Sequence, residues 1–302
     1  MDIIGKKHLY FAISLIIIIP GLISLILFGL KLSIDFAGGS RLTLLFPNKV
    51  SQQSVKIVKE TLSARKIKMT TLEKSTNRIF IRTEPISQKQ NAEVLSELKK
   101  KVKDFKQESF ETIGPTIGRE TTENAIKAVL MASILIVLYI TWSFRKVPKP
   151  ASGFRFGVCT IIALIHDILV VVGTFSILGH FFGVEVDSLF FTAVLTIIGF
   201  SVHDTIVVFD RIRENLRRLP GVSFDKIVNE SILQTLGRSL NTSLTVILVL
   251  SSLLLFGGES IRWFVVALLV GIISGTYSSI FNASPLLVLW GQWSRKRVIV
   301  KQ

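Results

Sequence analysis

One cysteine in 302 residues, Cys159, cannot form an intrachain disulfide, so cysteine usage carries no information about compartment. The chain lacks a Walker-type glycine loop, and nucleotide hydrolysis is therefore not its evident energy source. It has only four histidines, two of which directly precede aspartates, as His166-Asp167 and His203-Asp204. Adjacent side chains diverge and no ligand spacing accompanies either pair, which argues against a divalent-metal site; no metal and no cofactor is expected. A serine hydrolase is also excluded. Ser201 and His203 are two residues apart, on nearly opposite sides of a helix, and nothing announces an oxyanion hole. The most telling scarcity is charge itself, which is missing from several long stretches.

Those stretches are apolar. Hydrophobic residues make up 49% of the chain, and charges sit in blocks between long uncharged runs. Backbone polar groups in a bilayer core must be satisfied within the segment, so runs of this length read as membrane-spanning helices. Six can be placed, at about 9–30, 125–144, 156–178, 189–209, 239–257 and 263–290. The first is longer than the apolar core of a signal peptide, ~7–15 residues, and reads as an uncleaved anchor.

A net charge of +15 invites a nucleic-acid partner, but the distribution excludes one. Lys6-Lys7, Arg145-Lys146, and the basic residues of 211–218 and 295–297 crowd beside particular spans, as expected for loops held at the cytoplasmic face of an inner membrane with its lipid. The loops at 179–188 and 258–262, which alternate with them, hold only Arg262 of those residue types. Both termini are thus expected in the cytoplasm.

The insertion at 31–124 reads as an external α+β domain. Leu42, Leu44 and Phe46 alternate on one face of a strand over about 39–47. A helix over 51–65, strands over 67–72 and 78–83, a second helix opened by the capping box Ser87 to Gln90, and a strand over 108–113 complete the order β-α-β-β-α-β. This is the ferredoxin-like split motif. The remaining organisation is residues 1–30 as N-terminus and first span, 125–290 as spans two to six, and 291–302 as a tail. Within the loop at 210–238, Phe224, Ile227, Val228, Ile232 and Leu236 predict an amphipathic helix lying along the inner membrane surface.

Ionisable groups inside a bilayer are costly and need a reason. His166-Asp167 falls near the middle of span three, and His203-Asp204 falls toward the basic end of span four. Each aspartate either titrates or serves only as a structural cap or ion-pair partner. Arg238, where span five begins, is the natural counter-charge for Asp204; its plain alternative is a surface anchor. Gly271 and Gly275 form a GxxxG pattern in span six, which favours close helix packing.

Four further blocks carry a resemblance. Asp35-Phe36-Ala37-Gly38-Gly39 follows span one, Gly114-Pro115-Thr116-Ile117-Gly118 precedes span two, TIIGFSVHDTIVVFDRIREN occupies 196–215, and NESILQTLGRSLNTSLT occupies 229–245. Together they resemble the SecD/SecF family of bacterial protein-export membrane subunits. The resemblance implies a half bundle of the resistance–nodulation–division type that pairs with a SecD subunit. It implies work beside the SecYEG channel, use of the proton gradient to help draw preproteins across, and no enzymatic activity. It also implies that Asp204 and Arg238 are the charged positions tied to proton flow. The family usually has Asn before that aspartate; here His203 places a second titratable group beside it. Two other functions fit a six-span half: part of a proton-driven exporter of small molecules or lipids, or a non-transporting scaffold of the channel.

Overall fold

The structure, a computed structural model, describes residues 1–102 and 104–299. In chain order its elements are α1 (Lys7–Phe28), α2 (Ile34–Ala37), β1 (Gly39–Leu45), α3 (Gln52–Ala64), β2 (Met69–Lys74), β3 (Arg78–Thr83), α4 (Gln88–Lys101), β4 (Lys106–Ile113), α5 (Pro115–Ser143), α6 (Gly153–Phe182), α7 (Ser188–Arg218), α8 (Phe224–Phe256), α9 (Arg262–Ser278) and α10 (Ser284–Ile299). They form two compact units, one of residues 1–31 with 126–302 and one of residues 32–125.

The larger unit is a helix bundle. Among the described residues, six helical segments are long and apolar enough to cross a membrane: Ile4–Phe28, Pro115–Ser143, Gly153–Phe182, Ser188–Arg218, Phe224–Phe256 and Glu259–Trp293. Hydrocarbon is as apolar as leucine, so such a bundle is held by close packing and buried polar contacts rather than by hiding oily surface. Its outward faces are accordingly oily, with Ile16, Ile26, Leu130, Leu138, Leu248 and Val249 all exposed. Spans three, four and six are the most enclosed.

Small residues set the closest contacts. A Cβ built on Gly21 would stand 2.9 Å from Gly173 Cα, so α1 and α6 touch backbone to backbone. The GxxxG pattern of span six faces α7, with Gly271 against Ile197 and Gly275 against Ser201. At the basic end of the bundle the rings of Phe144, Phe156 and Phe209 interlock, with Phe156 and Phe209 stacked at 4.5 Å.

The bundle departs from the sequence reading in three places. The segment 210–238 is not a loop carrying a separate surface helix. Here α7 runs to Arg218, a short turn follows, and α8 continues from Phe224 without a break into span five. The apolar stripe of Phe224, Ile227, Val228 and Ile232 is buried by protein, because α7, α10 and the N-terminus pack on it. Polar clips fix it there. Asn215 Nδ2 donates to Ser231 Oγ at 2.9 Å and to Gln234 Oε1 at 3.0 Å, while Asn229 Oδ1 accepts from the Ile3 and Ile4 amides. Span six, expected as one helix over 263–290, is interrupted by a π-helical turn over Ser279–Ala283 that divides α9 from α10. The tail expected from residue 291 continues as α10 to Ile299, and residues 300–302 lie outside the described part of the chain.

The smaller unit is the β-α-β-β-α-β sandwich that the alternation predicts. Its sheet has the order β2-β3-β1-β4 with all neighbours antiparallel. Leu42 and Leu44 of β1, Ile79 and Ile81 of β3, Val58 and Leu62 of α3, and Val94 and Leu98 of α4 form one core. Ser87 and Gln90 make the full capping box at the start of α4. Both edge strands are blunted by a register shift, near Thr70 in β2 and opposite Thr43/Leu44 in β4.

The two glycines at the head of β1 are conformationally required. Gly38 has φ +70° and Gly39 φ +123°, and a Cβ on Gly39 would stand 2.7 Å from Thr83 O. Gly118 is as tightly placed, 2.7 Å from Phe36 O on the same measure. Phe36 and Gly38 therefore meet Pro115 and Gly118 as one seam, where the chain enters and leaves this unit, with Asp35, Gly39 and Gly114 beside them in the chain.

Surface charge in this unit is paired across elements. Arg78 bridges β3 to Glu108 of β4 at 2.7 Å, and Arg65 reaches Glu93 and Glu97 of α4. Lys101 and Arg65 hold the Glu97 carboxyl below its usual value of 4.5, and Arg78 does the same for Glu108. A lowered carboxyl pKa stabilises the fold above the unfolded value, and that contribution is lost as pH falls through the folded one. A fragment of residues 36–113 should be soluble, with a mixed helix and strand circular-dichroism spectrum. Its melting temperature should hold from pH 7 to 5.5 and fall below pH ~4.5. Replacing Arg78 and Arg65 by Gln should flatten the acid limb of that profile.

Candidate functional site

The polar residues of the bundle converge on one seam between spans three, four, five and six. Asp167 is fully buried on α6. Ser201 Oγ of α7 donates to its Oδ2 at 2.6 Å, Ser278 Oγ to the same oxygen at 2.8 Å, and Ser274 Oγ to Oδ1 at 2.7 Å, the last two from α9. His166 Nδ1 completes the set, 3.0 Å from Oδ1. Neighbouring side chains on a helix leave in different directions, yet the ring of His166 turns back far enough to make this contact. An ionised carboxylate has about four acceptor positions. Asp167 has a donor for each.

Asp204, on α7, is 2% exposed and placed quite differently. Its one hydroxyl donor is Ser243 Oγ of α8, at a long 3.4 Å. Ser243 itself is held firmly by Thr276 of α9 at 2.6 Å. His203 Nδ1 stands 3.9 Å away, with 61% of its side chain exposed on the bundle surface. Among the described residues, His203 is the only ionisable group within ion-pair distance of Asp204. Arg238 is exposed and makes no ion pair with Asp204. It lies five residues before Ser243 on α8, about 7.5 Å along the axis. The two members of the expected charge pair therefore share a neighbourhood but do not touch. Most of Asp204's acceptor positions are unfilled by this chain.

More hydroxyls stitch the seam together. Thr205 and Ser279 are bonded to each other at 2.8 Å and both stand 3.1 Å from Ser201 O, so one donates to its neighbour and the other to that carbonyl. Asn282, inside the π-helical turn, bonds Ser14 of α1 at 2.8 Å. An apolar groove of 450 Å³ opens between α8 and α9, with Ser243 and Thr276 in its lining.

The sequence reading placed His166, Asp167, His203, Asp204 and Arg238, and the structure brings the first four into this seam. It missed the serines and threonines that position the two carboxylates. Their signal was present: Ser274 and Ser278 are four residues apart in an apolar run, as are Ser201 and Thr205. Hydroxyls at helical spacing inside hydrocarbon need acceptors, and the nearest buried carboxylates are the obvious ones.

Residues 93–293 match the family described as "Protein export membrane protein SecD/SecF, C-terminal", and residues 23–46 match the "SecD/SecF GG Motif". The chain is similar to a protein translocase subunit SecF from Thermobaculum terrenum, 48% identical over 300 residues, covering 96% of this chain and 94% of that protein. It is similar also to the protein translocase subunit SecDF of Bacillus subtilis, 35% identical over 294 residues, covering 96% of this chain and 38% of that one. Among solved structures it resembles SecDF from Thermus thermophilus, described as a translocon-associated membrane protein. The TM-score is 0.82 at 33% identity, over 96% of this chain and 38% of that chain. This chain thus spans little more than a third of the SecDF chains it matches.

The contrast between the two carboxylates is testable on the purified protein. Asp167→Ala strands four donors in a dry site, at a cost of about 1–3 kcal/mol for each left unmet. It should lower the unfolding midpoint in detergent severely. Asp204→Asn conserves shape and disturbs one long contact, so it should lower the midpoint far less than Asp167→Ala does. Equal destabilisation by both would contradict the contrast.

Proposed function

The chain belongs to the SecD/SecF family of protein-export membrane proteins, and from that premise we propose that it is an auxiliary subunit of the Sec translocase. It pairs with a SecD subunit in the bacterial inner membrane, works beside the SecYEG channel, and uses the proton gradient to help draw preproteins to the far side. Both termini lie in the cytoplasm and the unit of residues 32–125 lies outside, where it can meet the emerging preprotein. The pairing with SecD is supported by relatives in which both halves form one SecDF chain.

The observation that carries the reading is Asp204. It is a carboxylate inside a membrane span, nearly inaccessible, with one long hydrogen bond and most acceptor positions open to a proton. His203 stands beside it on the bundle surface and offers a path for that proton. Arg238 sits on the same side of the bundle as a fixed positive charge. His166 and Asp167 form the second ionisable pair of the pathway. Protonation and deprotonation do work only if each favours a different conformer, so the coupling requires two arrangements of the bundle.

Secretion of a reporter preprotein into inverted vesicles, with and without a proton gradient, tests the assignment. Asp204→Asn should abolish the gradient-dependent part of export at normal protein levels, and Arg238→Ala should do likewise. His203→Asn should be mild. Full gradient stimulation by Asp204→Asn would sink the coupling and favour a scaffold role. The orientation has its own check. In a Cys159→Ala background, cysteines at Ser75 and Ser188 should react with an impermeant thiol reagent added outside the cell; protection of Ser75 would reverse the topology.

A further inference from the structure

The two membrane carboxylates do not touch each other, yet both are tied to α9. Ser274 and Ser278 are one turn apart and present one face of α9 to Asp167. Thr276 is two residues from each, about 200° around the helix, and presents the opposite face to Ser243 and through it to Asp204. The helix is therefore bonded directly to a saturated carboxyl group on one side, and on the other reaches an unsaturated one only through Ser243, across a long 3.4 Å contact.

Immediately after Ser278 the helix changes to the π-helical turn of Ser279–Ala283, a geometry that recurs at functional sites and lets a helix change register or bend. Two buried polar atoms on the same seam lack a partner: His166 Nε2, on the ring that contacts Asp167, and Ser239 Oγ, one turn from Ser243 on α8. Buried groups left unmet are costly, and a second arrangement of the seam that gave them partners would account for them. Along the rest of the α7–α9 contact Ile197 and Ser201 sit against Gly271 and Gly275, so α9 presents no side chain there to lock against α7.

Resting on the proton-coupling reading, we propose that α9 is the element that moves when Asp204 changes protonation. In this scheme Ser274, Ser278 and Thr276 are its positioning residues, Asp167 is the carboxyl group it is latched to, and the turn at Ser279–Ala283 is its hinge. Loss of the Asp204–Ser243 contact frees the Ser243–Thr276 pair, and α9 with it, from α7 on that side. The opposite face slides or tilts against Asp167, exchanging serine donors without leaving the carboxylate bare.

A reversible tether tests this directly in vesicles holding the assembled translocase. In a Cys159→Ala background, Ile197→Cys and Gly271→Cys place thiols across the α7–α9 contact, where a Cβ on Gly271 already meets Ile197. Oxidation should reduce export to the level seen without a gradient, and a reductant should restore it, which excludes misfolding as the cause. Full gradient-stimulated export with the pair cross-linked would overturn the proposal, and failure to cross-link would remove the contact it rests on. As a second arm, Ser274→Ala with Ser278→Ala should lose the gradient-dependent part of export, and threonine at both positions, which keeps the hydroxyls, should recover it. Alanines with undiminished stimulation would also overturn it. Asp204→Asn is run in parallel. If it keeps its stimulation, the coupling reading itself fails; if it loses stimulation while the tethered protein does not, only the movement of α9 fails.

Discussion

Asp167 is the constraint on which the bundle depends. A carboxylate in hydrocarbon costs several kcal/mol unless its acceptor positions are filled. Here they are filled by spans four and six together with its own neighbour His166. Satisfying that one group ties α6, α7 and α9 together at its level. It also places Ser201 where its carbonyl lies within reach of Thr205 and Ser279, and it sets the start of the π-helical turn. Small residues at Gly271 and Gly275 let α7 approach closely enough for these short bonds to form.

Against that anchored centre, the sparse surroundings of Asp204 are a deliberate contrast in chemistry. One aspartate is built into the frame and the other is left available. The difference comes from the neighbours and not from depth in the sequence, since both follow a histidine in a similar apolar run. His166 is buried and bonded to its aspartate, whereas His203 faces outward and only approaches its own.

The parts of the fold that local pattern controls were legible in the sequence. Six apolar runs, period-two alternation in β1, and the capping box at Ser87 each act over a few residues and need no distant partner. What pattern could not supply was who covers whom. The stripe of Phe224, Ile227, Val228 and Ile232 has the same period whether membrane or protein buries it. Asn215 of α7, and the bond from Asn229 to Ile3 at the N-terminus, decide for protein. The π-helical turn was likewise hidden, because Ser279–Ala283 keeps the composition of its flanks. As for the site, the ionisable residues stood out by their cost, while the hydroxyls that orient them looked like ordinary small residues.

The continuity of α7 and α8 has a mechanical meaning. From Asp204 to Arg218 the helix rises about 21 Å, and Asn215 clips it to Ser231 and Gln234 of α8 near that far end. The pair is a stiff lever with its short arm at the carboxylate. A tilt of about 10° there would sweep the basic tip through roughly 4 Å, a displacement that a single surface helix floating in the headgroups could not transmit. Any tilt imposed on α7 at Asp204 is thereby carried, with no soft joint between, to the charged end of the bundle.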